Sequence, residues 1–117
     1  MKHRNKKKIL SRKIGPRKAL IRIMAINFLL KEKIKTTEAK AKAVRPIIER
    51  LISSAKTNDL ATRRKIIASL NNIEVTKKLL EKIGPRYKER AGGYIRIIKI
   101  GRRRGDAAEM VFMELVK

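Results

Sequence analysis

The sequence predicts an α+β fold, and three observations carry that reading. Residues Thr37 to Lys56 repeat apolar side chains at spacings of three and four, the period of a helix with one buried face. The last stretch, YIRIIKIGRRRGDAAEMVFMELV from Tyr94 to Val116, reads as two apolar strands around a turn flanked by glycine. Helices followed by strands, in 117 residues of which 43% are hydrophobic, indicate one domain with a small but sufficient core.

The elements follow in chain order. MKHRNKKKILSRK has little to bury and reads as an extended basic arm over residues 1–14, with residues 15–117 as the folded domain. Charge without apolar surface predicts an arm that is mobile in the free protein and ordered only against a polyanion; the plain alternative is a solubilising tail. A helix begins at Pro16, which the first turn tolerates because its missing donor would be unpaired anyway, and puts Leu20, Ile23, Met24, Phe28 and Leu30 on its apolar face. There is then room for a short extended piece around Ile34. Thr36 or Thr37 caps the next helix, and Glu38 sits favourably near its positive end.

In that helix Ala41, Val44, Ile47, Ile48, Leu51, Ile52 and Ala55 form the core face, while Pro46 predicts a kink or a break. Two shorter helices follow, capped by Asn58 or Asp59 and by Asn71 or Asn72, the second stopped by Gly84 and Pro85. RYKERAGG is a loop, and the two strands close the chain. Phe28 and Phe112 are expected in the core.

Charge narrows the function. The chain carries 33 Lys and Arg against 10 Asp and Glu, a net +23, far beyond what solubility requires, so the surface needs a polyanionic partner. From Met1 to Lys31 there are 11 Lys or Arg and no acid. There is no cysteine and a single histidine, His3, so no thiolate or imidazole metal cluster is expected, and no cofactor. No apolar run reaches membrane-spanning length, and the expected setting is the cytoplasm. The candidates for a catalytic pattern are Asp106, Glu109, Glu114, Ser53, Ser54 and the threonines; no pair of them is convincing, and the acids are expected to balance neighbouring arginines.

Single-strand readers stack bases on aromatic rings, and here aromatic residues are 3% of the chain. Base-reading DNA proteins present a recognition helix, usually in a symmetric dimer, and no such unit is evident. Cations scattered over arm, helix faces, loop and hairpin tip fit folded RNA, bound by charge and shape. The candidate contacts are Lys2, His3, Arg4, Lys6, Lys7, Lys8, Arg12 and Lys13 in the arm, and Arg17, Lys18 and Arg22 in the first helix. Further along they are Lys35, Thr36, Thr37, Lys40, Lys42, Arg63, Arg64, Arg86, Arg90 and Arg96, with Tyr87 and Tyr94 bracketing a basic loop. Arg102, Arg103 and Arg104 complete the set, as forked guanidinium groups on a rigid strand pair. Asp106 would organise that turn or hold one arginine; the plain alternative is a solvated loop tip.

The motifs resemble the bacterial family of the seventeenth large-subunit ribosomal protein from end to end: HRNK, IKTTEAKAK, LISSAKT, RRKI, GPRY and RAGGYIRIIKIGRRRGDAAEM. The resemblance implies two layers, about four helices packed on a small mixed sheet of the short early strand and the two late ones. It implies no enzymatic activity, no small-molecule substrate and no membrane. The implied role is structural, in the large (50S) subunit, with 23S rRNA and neighbouring ribosomal proteins as partners, around the exit of the peptide tunnel. One departure stands out: the family often has a histidine before the arginine that matches Arg17, and this chain has Pro16. The rival reading is a nucleoid-type DNA-binding protein, which shares the charge and the scarcity of aromatics.

Overall fold

A computed structural model describes the backbone of residues 14–117 and the side chains of residues 17–117. The arm and its candidate contacts, Lys2, His3, Arg4, Lys6, Lys7, Lys8, Arg12 and Lys13, lie outside the described residues. The order is α1 (Ile14–Lys31), β1 (Lys33–Thr37), α2 (Glu38–Ala55), α3 (Leu60–Leu70), α4 (Ile73–Lys78), a π-helical turn (Leu79–Ile83), α5 (Gly84–Arg86), β2 (Ile95–Arg102) and β3 (Glu109–Leu115). The π turn and α5 carry α4 onward, so four principal helices face one three-stranded sheet.

The sheet order is β1-β3-β2, with β3 antiparallel to both neighbours. The strands are those expected, but the sheet is wholly antiparallel rather than mixed. β1 and β2 run the same way and never meet, because β3 lies between them. Alternation along β3 turns Val111, Met113 and Leu115 into the core with Phe28, Val44, Ile48, Ile52, Ile83 and Ile95. Phe112, one residue out of that phase, falls on the opposite, open face between Lys35 and Ile98. It is half-buried there, with the Lys33 ammonium 4.5 Å from its ring centre. That parity corrects its expected place in the core.

Short polar side chains close the helix starts. Thr37 Oγ1 accepts from the Lys40 amide at 3.4 Å, Asp59 Oδ1 from Thr62 at 2.7 Å and Asn72 Oδ1 from Val75 at 3.0 Å. The two adjacent asparagines divide the junction: Asn71 ends α3 in the left-handed region and Asn72 begins α4.

Three local expectations change. α1 starts at Ile14, and its buried stripe is Met24, Ala25, Phe28 and Leu29, while Ile23 and Leu30 are 57% and 41% exposed. Apolar residues occur nearly all round this helix, so its periodicity leaves the buried face undetermined. α2 runs unbroken through Pro46. Pro46 and Lys42 are both exposed, so water can satisfy the Lys42 carbonyl that lacks a donor, and Arg45 and Glu49 pair across the site at 3.1 Å. Gly84 does not stop its helix either; it is right-handed helical at φ −54°, ψ −54°, and its amide donates five residues back to Leu79. The widened turn carries the helix past Pro85. Glycine is needed because a Cβ there would lie 2.5 Å from the carbonyl oxygen of Ala55 in α2.

Replacing Gly84 by Ala should therefore cost about 1–3 kcal/mol of stability through forced separation of the two helices. Ile48→Ala, at the centre of the core, should cost about 2–5 kcal/mol. Urea denaturation measures both; a Gly84→Ala protein as stable as the parent would show that the helices are not in close contact there.

Candidate nucleic-acid interface

The few acids decide which cations remain free for a ligand. Glu32 lies between Lys78 and Arg86, with the Lys78 ammonium at 3.1 Å, and the Arg86 hydrogen bond holds its carboxyl below the usual range. Glu38 pairs with Lys42 at 2.8 Å, a hydrogen bond that likewise lowers its pKa. Glu114 accepts from Arg96 at 2.6 Å, with Lys33 at 3.8 Å. These pairs lie at the surface with their carboxylates partly exposed, and contribute little to stability. Their consequence is that Lys42, Arg86 and Arg96, three candidate contacts, already hold a carboxylate.

α1 and α3 contain no acid. Among the described residues, Arg17, Lys18, Arg22, Arg63 and Arg64 form no ion pair, and neither do Lys35, Lys40 and Arg90. α1 and α3 both pack on α2 and touch each other, so these two helices present a cationic surface whose side chains form no ion pair among the described residues. Two further cations of this layer, Arg50 and Lys65, are exposed and without an ion pair, and sequence reading passed over them. The signal was present for Lys65: no acid stands within one helical turn of it on α3.

The hairpin tip is built differently. Gly101 sits at a bulge where β2 shifts register against β3, at φ 115°, and Gly105 reverses the chain at φ 96°. The Arg103 amide donates to Ala108 at 2.8 Å and the Ala107 amide to Arg103 at 3.0 Å. Asp106 Oδ1 accepts from the Ala108 amide at 3.2 Å and from Arg103 Nε at 3.1 Å. It thus both organises the turn and holds an arginine. Arg102 meets Glu109 at 3.2 Å across the strands, which leaves Arg104 as the unpaired guanidinium of the three. Among the described residues no three histidine, aspartate or glutamate side chains stand together as a metal-binding group.

Thr37 is occupied as a helix cap. Tyr87 and Tyr94 are 3% and 1% exposed, with ring centres 5.3 Å apart. The Tyr87 hydroxyl donates to the Val116 carbonyl, and the Tyr94 hydroxyl lies 3.1 Å from Ser53 Oγ and 3.3 Å from the Arg90 carbonyl. The Tyr87 ring ties the end of β3 to the helices, the Tyr94 ring ties the start of β2 to α2, and neither ring is open for a base to stack on.

The Arg103 hydrogen bond, reinforced by the Ala108 amide, lowers the Asp106 pKa to about 2. A carboxyl lower in the folded than in the unfolded chain contributes above the unfolded value of about 3.9, and that contribution is lost as pH falls toward 2. Carbon-detected NMR should find the Asp106 midpoint near 2, with the Arg103 side chain loosening over the same range. Asp106→Asn should remove the titration and mobilise Arg103 at neutral pH; an ordinary midpoint near 4 would mean the pair does not form.

No described helix is long and apolar enough to cross a membrane. The family model described as "Ribosomal protein L17" matches residues 20–116, all the elements from within α1 to the end of β3. Over 110 residues the chain is 49% identical to "Large ribosomal subunit protein bL17" of Halothermothrix orenii, covering 91% of this chain and 96% of that one. It is 50% identical over 102 residues to the protein of the same name from Desulforamulus reducens, covering 87% and 91%. The match to the one from Hydrogenobaculum sp. is 46% over 118 residues and the full length of both. A family model spanning the whole two-layer domain, with relatives at this identity across nearly all of the chain, places it in the ribosomal protein L17 family.

Proposed function

We propose that this protein is a structural constituent of the large (50S) ribosomal subunit in the cytoplasm, binding 23S rRNA through phosphate and shape contacts. Its other partners are neighbouring large-subunit proteins. Membership of a ribosomal protein family sets the context. The observation that carries the RNA reading is the unneutralised charge of α1 and α3 together with Arg104 at the far end of a strand pair. Cations on separate projections suit a partner that surrounds the protein, and a chain releasing counterions from many phosphates gains affinity with no base contact. The side of the particle around the peptide exit is the location the family resemblance implies. A DNA-compacting role shares the charge, so competition between folded rRNA and duplex DNA discriminates between the two.

In a cell lysate the protein should sediment with the large subunit at physiological salt and be stripped at high salt. Sedimentation with the nucleoid instead would favour the DNA reading. For purified protein and a large-subunit rRNA fragment, Arg104→Ala should flatten the plot of log affinity against log salt by about 0.7–0.9. Arg103→Ala should flatten it by less, because Asp106 already holds that guanidinium. Equal effects of the two variants would mean that the carboxylate releases its arginine on binding.

A further inference from the structure

The helical layer carries a furrow that the phosphate contacts alone do not explain. A cleft of about 380 Å³ lies between α1, α2 and α3, and a second of about 320 Å³ continues it along α2 and α3; both are lined by Ile47, Leu51 and Ser69. The floor is aliphatic, with Leu51, Ile66 and Leu70 nearly closed off from solvent. Lys18 and Arg22 of α1 line the first cleft, Arg50 and Lys65 the second. None of these four forms an ion pair among the described residues, and no acid lines either cleft.

A cationic rim calls for phosphate, and an aliphatic floor calls for something uncharged and apolar. A continuous duplex would rest on the rim and leave the floor covered by trapped water. A partner helix, some 10–12 Å across, needs an interface of roughly 1,200 Å² or more, far more than two clefts of about 380 and 320 Å³ can supply. A nucleotide that has left its stack satisfies both demands: its base offers an uncharged flat face with polar edges, and its flanking phosphates lie within the same few ångströms of chain. Unstacked bases of loops and bulges are also where RNA can be distinguished from a uniform duplex. The Ser54 and Ser69 hydroxyls at the furrow can each donate to or accept from a base edge.

We propose that the furrow between α1, α2 and α3 receives a single unstacked nucleotide of rRNA, its base on the aliphatic floor and its flanking phosphates on Lys18 and Arg22 and on Arg50 and Lys65. The proposal rests on the rRNA reading above and adds a contact that selects folded RNA over duplex.

The test fills the furrow without changing charge. Ala68 and Ser69 line it from α3 and are exposed, so Ala68→Phe and Ser69→Phe should keep the fold, checked by thermal melting. Each full-length variant is titrated against a folded 23S rRNA fragment and against a fully paired RNA of equal length, at several salt concentrations. The expected result is a loss of roughly ten-fold on the folded fragment, the scale of one base contact, with an unchanged salt slope and unchanged duplex binding. The double variant Lys18→Ala, Lys65→Ala should lower the slope on the folded fragment by about 1.4–1.8. Equal losses on both RNAs would make the furrow a track for a paired backbone and overturn the proposal. Full rRNA affinity in the filled variants would also overturn it, and if their co-sedimentation with the large subunit were lost as well, a neighbouring protein would be the occupant. If the parent itself failed to bind the folded fragment, the rRNA reading would fall first, which separates the two failures.

Discussion

α2 lies against all three strands of the sheet, and its Val44, Ile48 and Ile52 are fully buried in one apolar cluster with Val111 and Met113 of β3. This contact has to hold together a chain whose net charge of +23 repels itself at every separation. The other elements are arranged around it. α1 and α3 lean on α2, α1 also touching β1, and the turn at Gly84 presses onto the Ala55 carbonyl so closely that no side chain fits between. Close packing of a small core leaves the surface free to be almost anything, and here it is almost wholly basic.

The placement of acids turns that basic surface into a directed one. Glu32, Glu38, Glu49 and Glu114 sit near the sheet or at the ends of α1 and α2, where each meets a lysine or arginine at ion-pair distance. Neutralisation there fixes side-chain positions around the strands. On α1 and α3 no cation is ion-paired among the described residues, so their field extends into solvent and their side chains are open to a polyanion. At the tip both devices coexist within a few residues: two arginines held by carboxylates and one left open.

Aromatic residues, few in number, serve the fold. Phe28 is in the core, Tyr87 locks the end of β3 to the helices and Tyr94 the start of β2 to α2, and Phe112 packs on the open sheet face beneath Lys33. Under the proposed RNA-binding role, recognition would fall to cations, backbone shape and, in the proposed furrow, aliphatic side chains and serines rather than aromatic stacking.

Local chemistry was legible in the sequence because it depends on neighbours a few residues away. The core face of α2, the hairpin around the arginines and each cap to within two adjacent residues follow from spacing and turn chemistry, while the structure chose Thr37, Asp59 and Asn72 and showed Asp106 both organising the turn and holding Arg103. Composition and the end-to-end motifs likewise carried the class of partner and the family. What tertiary structure decided is everything that depends on who lies opposite. An α1 apolar nearly all round has no preferred face until α2 and the sheet choose one, which is why Ile23 and Leu30 are exposed. Gly84 reads as a stop until Ala55 is brought against it, and Tyr87 and Tyr94 read as surface rings until Val116 and Ser53 arrive from distant parts of the chain. The assembly of the furrow from three helices shares that cause: contacts between residues far apart in sequence are set by packing, and no local pattern encodes them.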